Sequence, residues 1–266
     1  MKYYKRVLTI AGSDSGGCAG IQADIKTITC IGCFASSVIT AVTAQNTLGV
    51  NAVQAIPAEL VGKQIDAVLS DVGTDAIKIG MLATSEIVEV VAEKIKEYGI
   101  ENVVLDPVLV STSGHSLASD GVSQMISEQL FPLSTVVTPN IPEAHFFTGE
   151  NDSDQIWNVI KKMRAKSMLL KGGHLDADDM GNISDVLYTG KNVVEYQHRK
   201  CDTSNTHGTG CSLSSAIASY LALGYELQKA VELAIEWEEN AIISGANYVL
   251  GGGHGPIDHF WEYRNK

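Results

Sequence analysis

The chain has 266 residues, 45% of them hydrophobic and 19% charged, which suits a globular protein with a large core in one α/β domain or two small ones. Its 31 acidic and 19 basic side chains leave a net charge of −12; with no basic stripe to offset that charge, nucleic acid is excluded as a partner. No apolar run reaches the roughly 18 residues of a membrane span, and Met1–Arg6 passes directly into a strand-like run, so neither a signal peptide nor a membrane segment is expected. Five cysteines, an odd number, fit a reducing cytoplasm.

The elements alternate along the chain. Val7–Ala11 is a short apolar strand stopped by Gly12-Ser-Asp-Ser-Gly-Gly, and Ala19–Thr29 has helical spacing. Ala35–Ala44, apolar and β-branched, reads as a strand, and Pro57–Leu69 as a helix begun near its proline. Ala76–Ile79 is a strand ending in Gly80-Met81-Leu82, followed by a helix over Ser85–Glu97. Val103–Leu105 leads into Asp106-Pro107, Thr135–Thr138 into Pro139-Asn140, and Met168–Leu170 into Lys171-Gly-Gly173. Asp185–Tyr188 and Val193–Gln197 form a hairpin around Gly190-Lys191, and helices follow over Gly210–Leu223 and Leu227–Ala246. Without a repeat or a long linker, the pattern predicts a single domain over residues 1–266: a mainly parallel sheet with helices on both faces. Each strand stops at a polar or glycine-rich turn, where open α/β sheets place ligand groups.

Cys30-Ile-Gly-Cys33 has the spacing of half a zinc site. Zinc needs two further ligands at suitable spacing, and Cys18, Cys201 and Cys211 supply no second pair, so these are read as buried or helix-end thiols. The segment Asp202-Thr-Ser-Asn-Thr-His-Gly-Thr-Gly-Cys211 is more informative. Gly208 and Gly210 permit a tight turn and close approach to a ligand, and their amides, with those of Thr209 and Cys211, would open a helix whose field favours an anion. The same field is expected to lower the pKa of the Cys211 thiol. That combination points to phosphoryl transfer. A Walker P-loop is absent, because Gly62-Lys63 precedes Gln64 and Gly190-Lys191 precedes Asn192; the loop Gly12–Gly20 never gives G-x-G-x-x-G.

Several segments occur in one order: Ala11-Gly-Ser-Asp-Ser-Gly-Gly-x-Ala-Gly-Ile-Gln-Ala-Asp24, Lys78-Ile-Gly-Met81, Leu105-Asp-Pro-Val108, Thr138-Pro-Asn-x-Pro-Glu-Ala144, Lys171-Gly-Gly-His174 and Asn205-Thr-His-Gly-Thr-Gly-Cys211. Together they resemble the hydroxymethylpyrimidine/phosphomethylpyrimidine kinases of thiamine biosynthesis, in the ribokinase-like superfamily. The likeness runs from about residue 5 to Gly253-His-Gly-Pro-x-x-His259. It implies a ribokinase-like three-layer sandwich and a cytoplasmic homodimer. It also implies ATP-dependent phosphorylation of 4-amino-5-hydroxymethyl-2-methylpyrimidine, then of its monophosphate to the diphosphate, with Mg2+ as cofactor.

The resemblance also assigns residues. Asp24 and Gln45 are expected to read the aminopyrimidine edge, the carboxylate accepting from the amine and the amide both donating and accepting. Gly12 and Met81 are expected beside the ring, Met81 against its face. Cys211 stands where many ribokinase-like sugar kinases carry an aspartate base; as a thiolate it would take the hydroxyl proton, or else it marks the hydroxyl's place. Gly208, Thr209 and Gly210 would stabilise the transferred phosphoryl oxygens. Lys171, Asn140 and Thr209 are expected at ATP, and Glu143 and Asp106 at magnesium, which prefers oxygen ligands and keeps several waters. The chain departs from the family pattern at His115 (usually aspartate), Ser204 (often lysine) and Cys18 (usually a small residue). Two other readings are a pyridoxal kinase on the same scaffold and a catalytically silent pyrimidine-binding or regulatory module.

Overall fold

A computed structural model describes residues 2–109, 121–149, 165–173 and 178–264. His115 with the rest of the stretch Val110–His115, and His174, lie outside the described residues. Among the described residues nine strands form one sheet in the order β3-β2-β1-β4-β5-β6-β7-β8-β9. They are β1 (Arg6–Asp14), β2 (Phe34–Asn46), β3 (Gly49–Ala55), β4 (Ala76–Ile79), β5 (Val103–Leu105), β6 (Val136–Val137), β7 (Met168–Leu170), β8 (Asn182–Tyr188) and β9 (Val193–Arg199). From β2 through β7 neighbours pair in parallel. β3 is antiparallel at one edge, and β8 and β9 are antiparallel at the other.

The central strands β4 to β7 are buried throughout, as parallel strands covered on both faces must be, which explains their continuous apolar runs. Alternate side chains enter opposite cores: Ile77, Val103 and Leu105 pack into one, and Ala76 and Val104 into the other. The first core is covered by α2 (Ala58–Leu69), α3 (Ser85–Glu97), α4 (Val122–Met125) and α5 (Ile141–Thr148). The second is covered by α1 (Gly20–Cys30), α6 (Thr209–Ala222) and α7 (Leu227–Gly245). This is a three-layer α/β sandwich. Among the described residues no helix is long and apolar enough to cross a membrane.

The predicted spans of β4, α3, β5 and β7 coincide with the observed ones. β1 runs on to Asp14, because a register shift between Ala11 and Ser13 lets Ser13 and Asp14 keep pairing with Val42 and Thr43. The sequence reading had no strand at β3, most of whose residues are exposed, so its pattern lacks the apolar alternation of a half-buried strand. Cys30 and Cys33 are buried free thiols, both pushed up to about 11 mainly by burial.

A charged pair lies within the apolar interior. Lys78 on β4 and Asp24 on α1 are fully buried, with Nζ 2.8 Å from Asp24 Oδ1 and 3.0 Å from Oδ2. Thr9 Oγ1 donates to Asp24 Oδ2 at 2.6 Å and Ser215 Oγ to Oδ1 at 2.8 Å, so the carboxylate joins β1, β4, α1 and α6. Burial opposes the charge on Lys78, but Asp24 outweighs it and holds the ammonium pKa above its ordinary value. Lys78→Met alone leaves a buried, unpaired carboxylate and should cost about 3–5 kcal/mol in urea unfolding. Replacing the pair together, as Lys78→Met with Asp24→Leu, should restore much of that loss; additive losses would show that the two charges do not compensate each other.

Candidate active site

The carboxyl ends of the parallel strands open into a cleft of about 1000 Å³. Gly12, Gln45 and Met81 line one part of it, and Asp106, Asn140, Glu143 and Lys171 another. Gly208, Thr209, Gly210 and Cys211 lie between them. Asp24 is not part of the cleft. It is fully buried and its oxygens are spent on Lys78, Thr9 and Ser215, so the expectation that it reads a substrate edge is corrected: it supports the site from beneath.

The start of α6 follows from its glycines. Gly208 has φ 87°, a left-handed conformation, and a Cβ there would run into the Cys18 carbonyl. Thr209 N bonds the Thr206 carbonyl at 3.3 Å, and the first helical bond runs from Ser212 N to Gly208 O at 2.9 Å. The amides of Gly210 and Cys211 therefore remain as the orphan donors of the helix mouth. Gly208 makes the turn, and the Thr209 amide is occupied. A Cβ on Gly210 would lie 3.2 Å from Lys171 Nζ and 3.4 Å from Asp106 Oδ2, so ammonium, carboxylate and helix mouth meet at this glycine.

Lys171 follows β7 and donates to Asp106 Oδ1 at 2.9 Å, while Thr138 Oγ1 donates to the same oxygen at 3.2 Å. Burial opposes its charge, but Asp106 and Glu143 raise its pKa and keep it cationic. Asn140 and Glu143 form a capping box at the start of α5: Asn140 Oδ1 accepts from Glu143 N at 2.8 Å, and Glu143 Oε2 accepts from Asn140 N at 2.9 Å. Burial pushes Glu143 up to about 7, with Lys171 drawing it down and the charge of Asp106 raising it. Two carboxylates that repel one another here suit a divalent cation with oxygen ligands. Among the described residues no three His, Cys, Asp or Glu side chains form a metal cage. The donors thus fit a magnesium ion that keeps most of its waters and shares phosphate oxygens.

Cys211 departs from its expected state. The helix field was expected to lower its pKa, but burial comes first and pushes the thiol up to about 11; Lys78 draws it down, Asp24 and Asp106 push it up, and the Gly20 amide draws it down. The thiol is therefore neutral near pH 7.

In the first part of the cleft, a Cβ on Gly12 would sit 3.0 Å from Met81 Sδ, so the missing side chain makes room for the thioether. Thr40 Oγ1 holds the Met81 carbonyl at 2.7 Å. Asp14 organises the adjoining loop by accepting from the amides of Gly16, Cys18 and Ala19. Gln45 exchanges bonds with Ser15 through its backbone, and its side-chain amide lies between Thr43 and His207.

Among the cleft residues to which the sequence reading gave no role are Asp185, His198 and Glu238. Asp185 accepts from Gly172 N at 2.7 Å and lies 3.4 Å from His198 Nε2. Burial, reinforced by the charge of Asp185, raises Glu238 well above the carboxylate range. These residues lie on a hairpin and in mid-helix, with no motif or spacing to single them out.

A helix mouth with free amides and a lysine–carboxylate pair, in one cleft on this sheet, accompany the fold of the ribokinase-like kinases. The family model described as phosphomethylpyrimidine kinase matches residues 14–258, and the chain belongs to that family. It is similar to the hydroxymethylpyrimidine/phosphomethylpyrimidine kinase of Bacillus subtilis, 43% identical over 271 residues, covering 100% of this chain and 98% of the relative. The thiamine biosynthesis bifunctional protein of Geobacter sulfurreducens is 45% identical over 95% of this chain, which spans only 52% of that protein. Among solved structures, a phosphomethylpyrimidine kinase of Clostridium difficile has a TM-score of 0.78 at 42% identity, covering 90% of this chain and 99% of its own. An ADP complex of Bacillus subtilis pyridoxal kinase has a TM-score of 0.88 at 34% identity, covering 99% and 100%.

Gly208→Ala places a methyl group against the Cys18 carbonyl in a left-handed conformation. It should lower the melting temperature and abolish ADP binding by calorimetry; a variant that binds ADP like the parent would show that the loop tolerates the side chain.

Proposed function

We propose that the protein transfers the γ-phosphoryl group of ATP to the hydroxymethyl oxygen of 4-amino-5-hydroxymethyl-2-methylpyrimidine, and then phosphorylates the monophosphate to the diphosphate. One observation carries this reading: a single cleft joins the Gln45–Met81 recess to the amides of Gly210 and Cys211 and to Lys171. The substrate oxygen attacks the γ-phosphorus, the bond to the β–γ bridging oxygen breaks, ADP leaves, and the hydroxyl proton passes to a phosphoryl oxygen or to water. The Gly210 and Cys211 amides and Lys171 meet negative charge developing on the phosphoryl oxygens. Asp106 and Glu143 would hold the magnesium ion that, when bound, neutralises phosphate charge; Asp106 also aims Lys171. Met81 and Gly12 shape the recess and Gln45 offers its amide to the ring edge. Asn140 acts by starting α5 so that Glu143 faces the cleft.

The neutral thiol of Cys211 supports a positioning role, a hydrogen-bond partner for the hydroxyl, over the thiolate base. A base of pKa about 11 would make log kcat/KM climb with unit slope from neutrality toward that pH. A positioning thiol gives no such slope. Cys211→Ser is expected to lose less than about 100-fold in kcat with an unchanged pH profile, whereas a loss of about 10²–10⁴ together with loss of an alkaline slope would restore the base.

The similarity to pyridoxal kinase favours one alternative substrate. Purified protein with Mg-ATP should make ADP on the aminopyrimidine alcohol and its phosphate in a coupled assay. ADP only with pyridoxal would replace the substrate assignment, and none with any of the three would leave a binding module. A homodimer, supported by the outward apolar side chains Val42, Leu48 and Val53 of the β2–β3 ribbon, should appear at twice the monomer mass in sedimentation.

A further inference from the structure

A glutamine amide is nearly symmetric in shape, and a half-turn about its last torsion exchanges donor for acceptor. Gln45 therefore needs neighbours to choose its direction. Its Nε2 lies 2.9 Å from His207 Nε2, and Thr43 Oγ1 donates to its Oε1 at 3.2 Å. His207 is buried and held by its backbone N–H, which donates to Gly255 O at 3.0 Å. Gln45 Nε2 carries only N–H donors, so at 2.9 Å His207 Nε2 is the acceptor of that bond. Nδ1 thus carries a proton, and Nε2 of the neutral ring offers only a lone pair. Burial keeps the ring neutral by lowering its pKa; Asp14 opposes this and His254 adds to it.

Thr43 cannot set the direction alone, because its hydroxyl also lies 3.0 Å from the Ser13 carbonyl. With the amide reversed, Thr43 could donate to Ser13 O and accept from Gln45, but Oε1 would then face the His207 lone pair. His207 decides between the two arrangements. Once both bonds are made, Gln45 retains one N–H and one acceptor lone pair, matching a ring edge with a ring nitrogen beside an exocyclic amine.

We infer that His207 is a specificity-determining positioning residue: by accepting from Gln45 Nε2–H, it fixes the amide in the direction that fits an aminopyrimidine edge and not a pyridine alcohol lacking the amine. The inference rests on the aminopyrimidine reading above.

Steady-state kinetics on the aminopyrimidine alcohol and on pyridoxal test it. His207→Leu should raise KM for the aminopyrimidine about tenfold, the scale of one hydrogen bond, with kcat changed much less. His207→Gln, whose carbonyl can accept in place of Nε2, should recover part of the loss. Thr43→Val, remote in sequence from the glycines of α6, should lower the preference for aminopyrimidine over pyridoxal in the same direction. In a Gln45→Ala background neither substitution should move that ratio further. Equal losses of kcat on both substrates, or effects that persist without Gln45, would overturn the inference by revealing a merely structural role. Wild-type protein inert on the aminopyrimidine would overturn the functional reading and this assignment with it. An active wild type whose ratio ignores His207 overturns this inference alone.

Discussion

The site depends on a charge pair that never meets the substrate. Lys78 and Asp24 lie between the sheet and the helices α1 and α6, where an unpaired charge would be expensive. Ser215 stands one turn beyond Cys211 on α6, so its bond to Asp24 sets the height and rotation of that helix relative to β4. The orphan amides of Gly210 and Cys211 inherit their positions from it. α1, which carries Asp24, begins at Gly20, whose amide faces Cys211. Two helix starts are thereby held against one cleft by a single carboxylate.

The charges within the cleft divide the work. Lys171 and Asp106 are paired, yet Glu143 still sits high because burial and Asp106 both disfavour its charge. The region is therefore short of positive charge before a nucleotide and its cation arrive. The end around Gln45 is shaped by a glutamine, a neutral histidine, threonine and methionine, with the Asp14 carboxylate beside them held by loop amides. Binding of an uncharged alcohol and of a polyanion are kept apart electrostatically while sharing one wall.

Much of the architecture was legible because parallel strands covered on both faces must be apolar throughout, as in Ala76–Ile79 and Met168–Leu170. The glycine-rich start of α6 was legible for a similar reason, since few residue types permit its turn. The expected contact of Asp24 and the lowered pKa expected of Cys211 both gave way to desolvation, which a motif does not record. Asp24 belongs to the Ala11–Asp24 motif yet points into the interior, and Cys211 opens a helix yet is dominated by desolvation. His207 and Gln45 are 162 positions apart, and nothing in either neighbourhood announces that their side chains meet.

The contact between Gly208 and the Cys18 carbonyl has a mechanical consequence. At that point the two loops pack so closely that no side chain fits between them. One of them adjoins Gly12 and Gln45 and the other forms the start of α6, so a displacement of either presses on the other. Exchanging either loop for that of a relative would import half of a matched surface. A transplant that altered substrate choice while preserving phosphate binding would have to carry both.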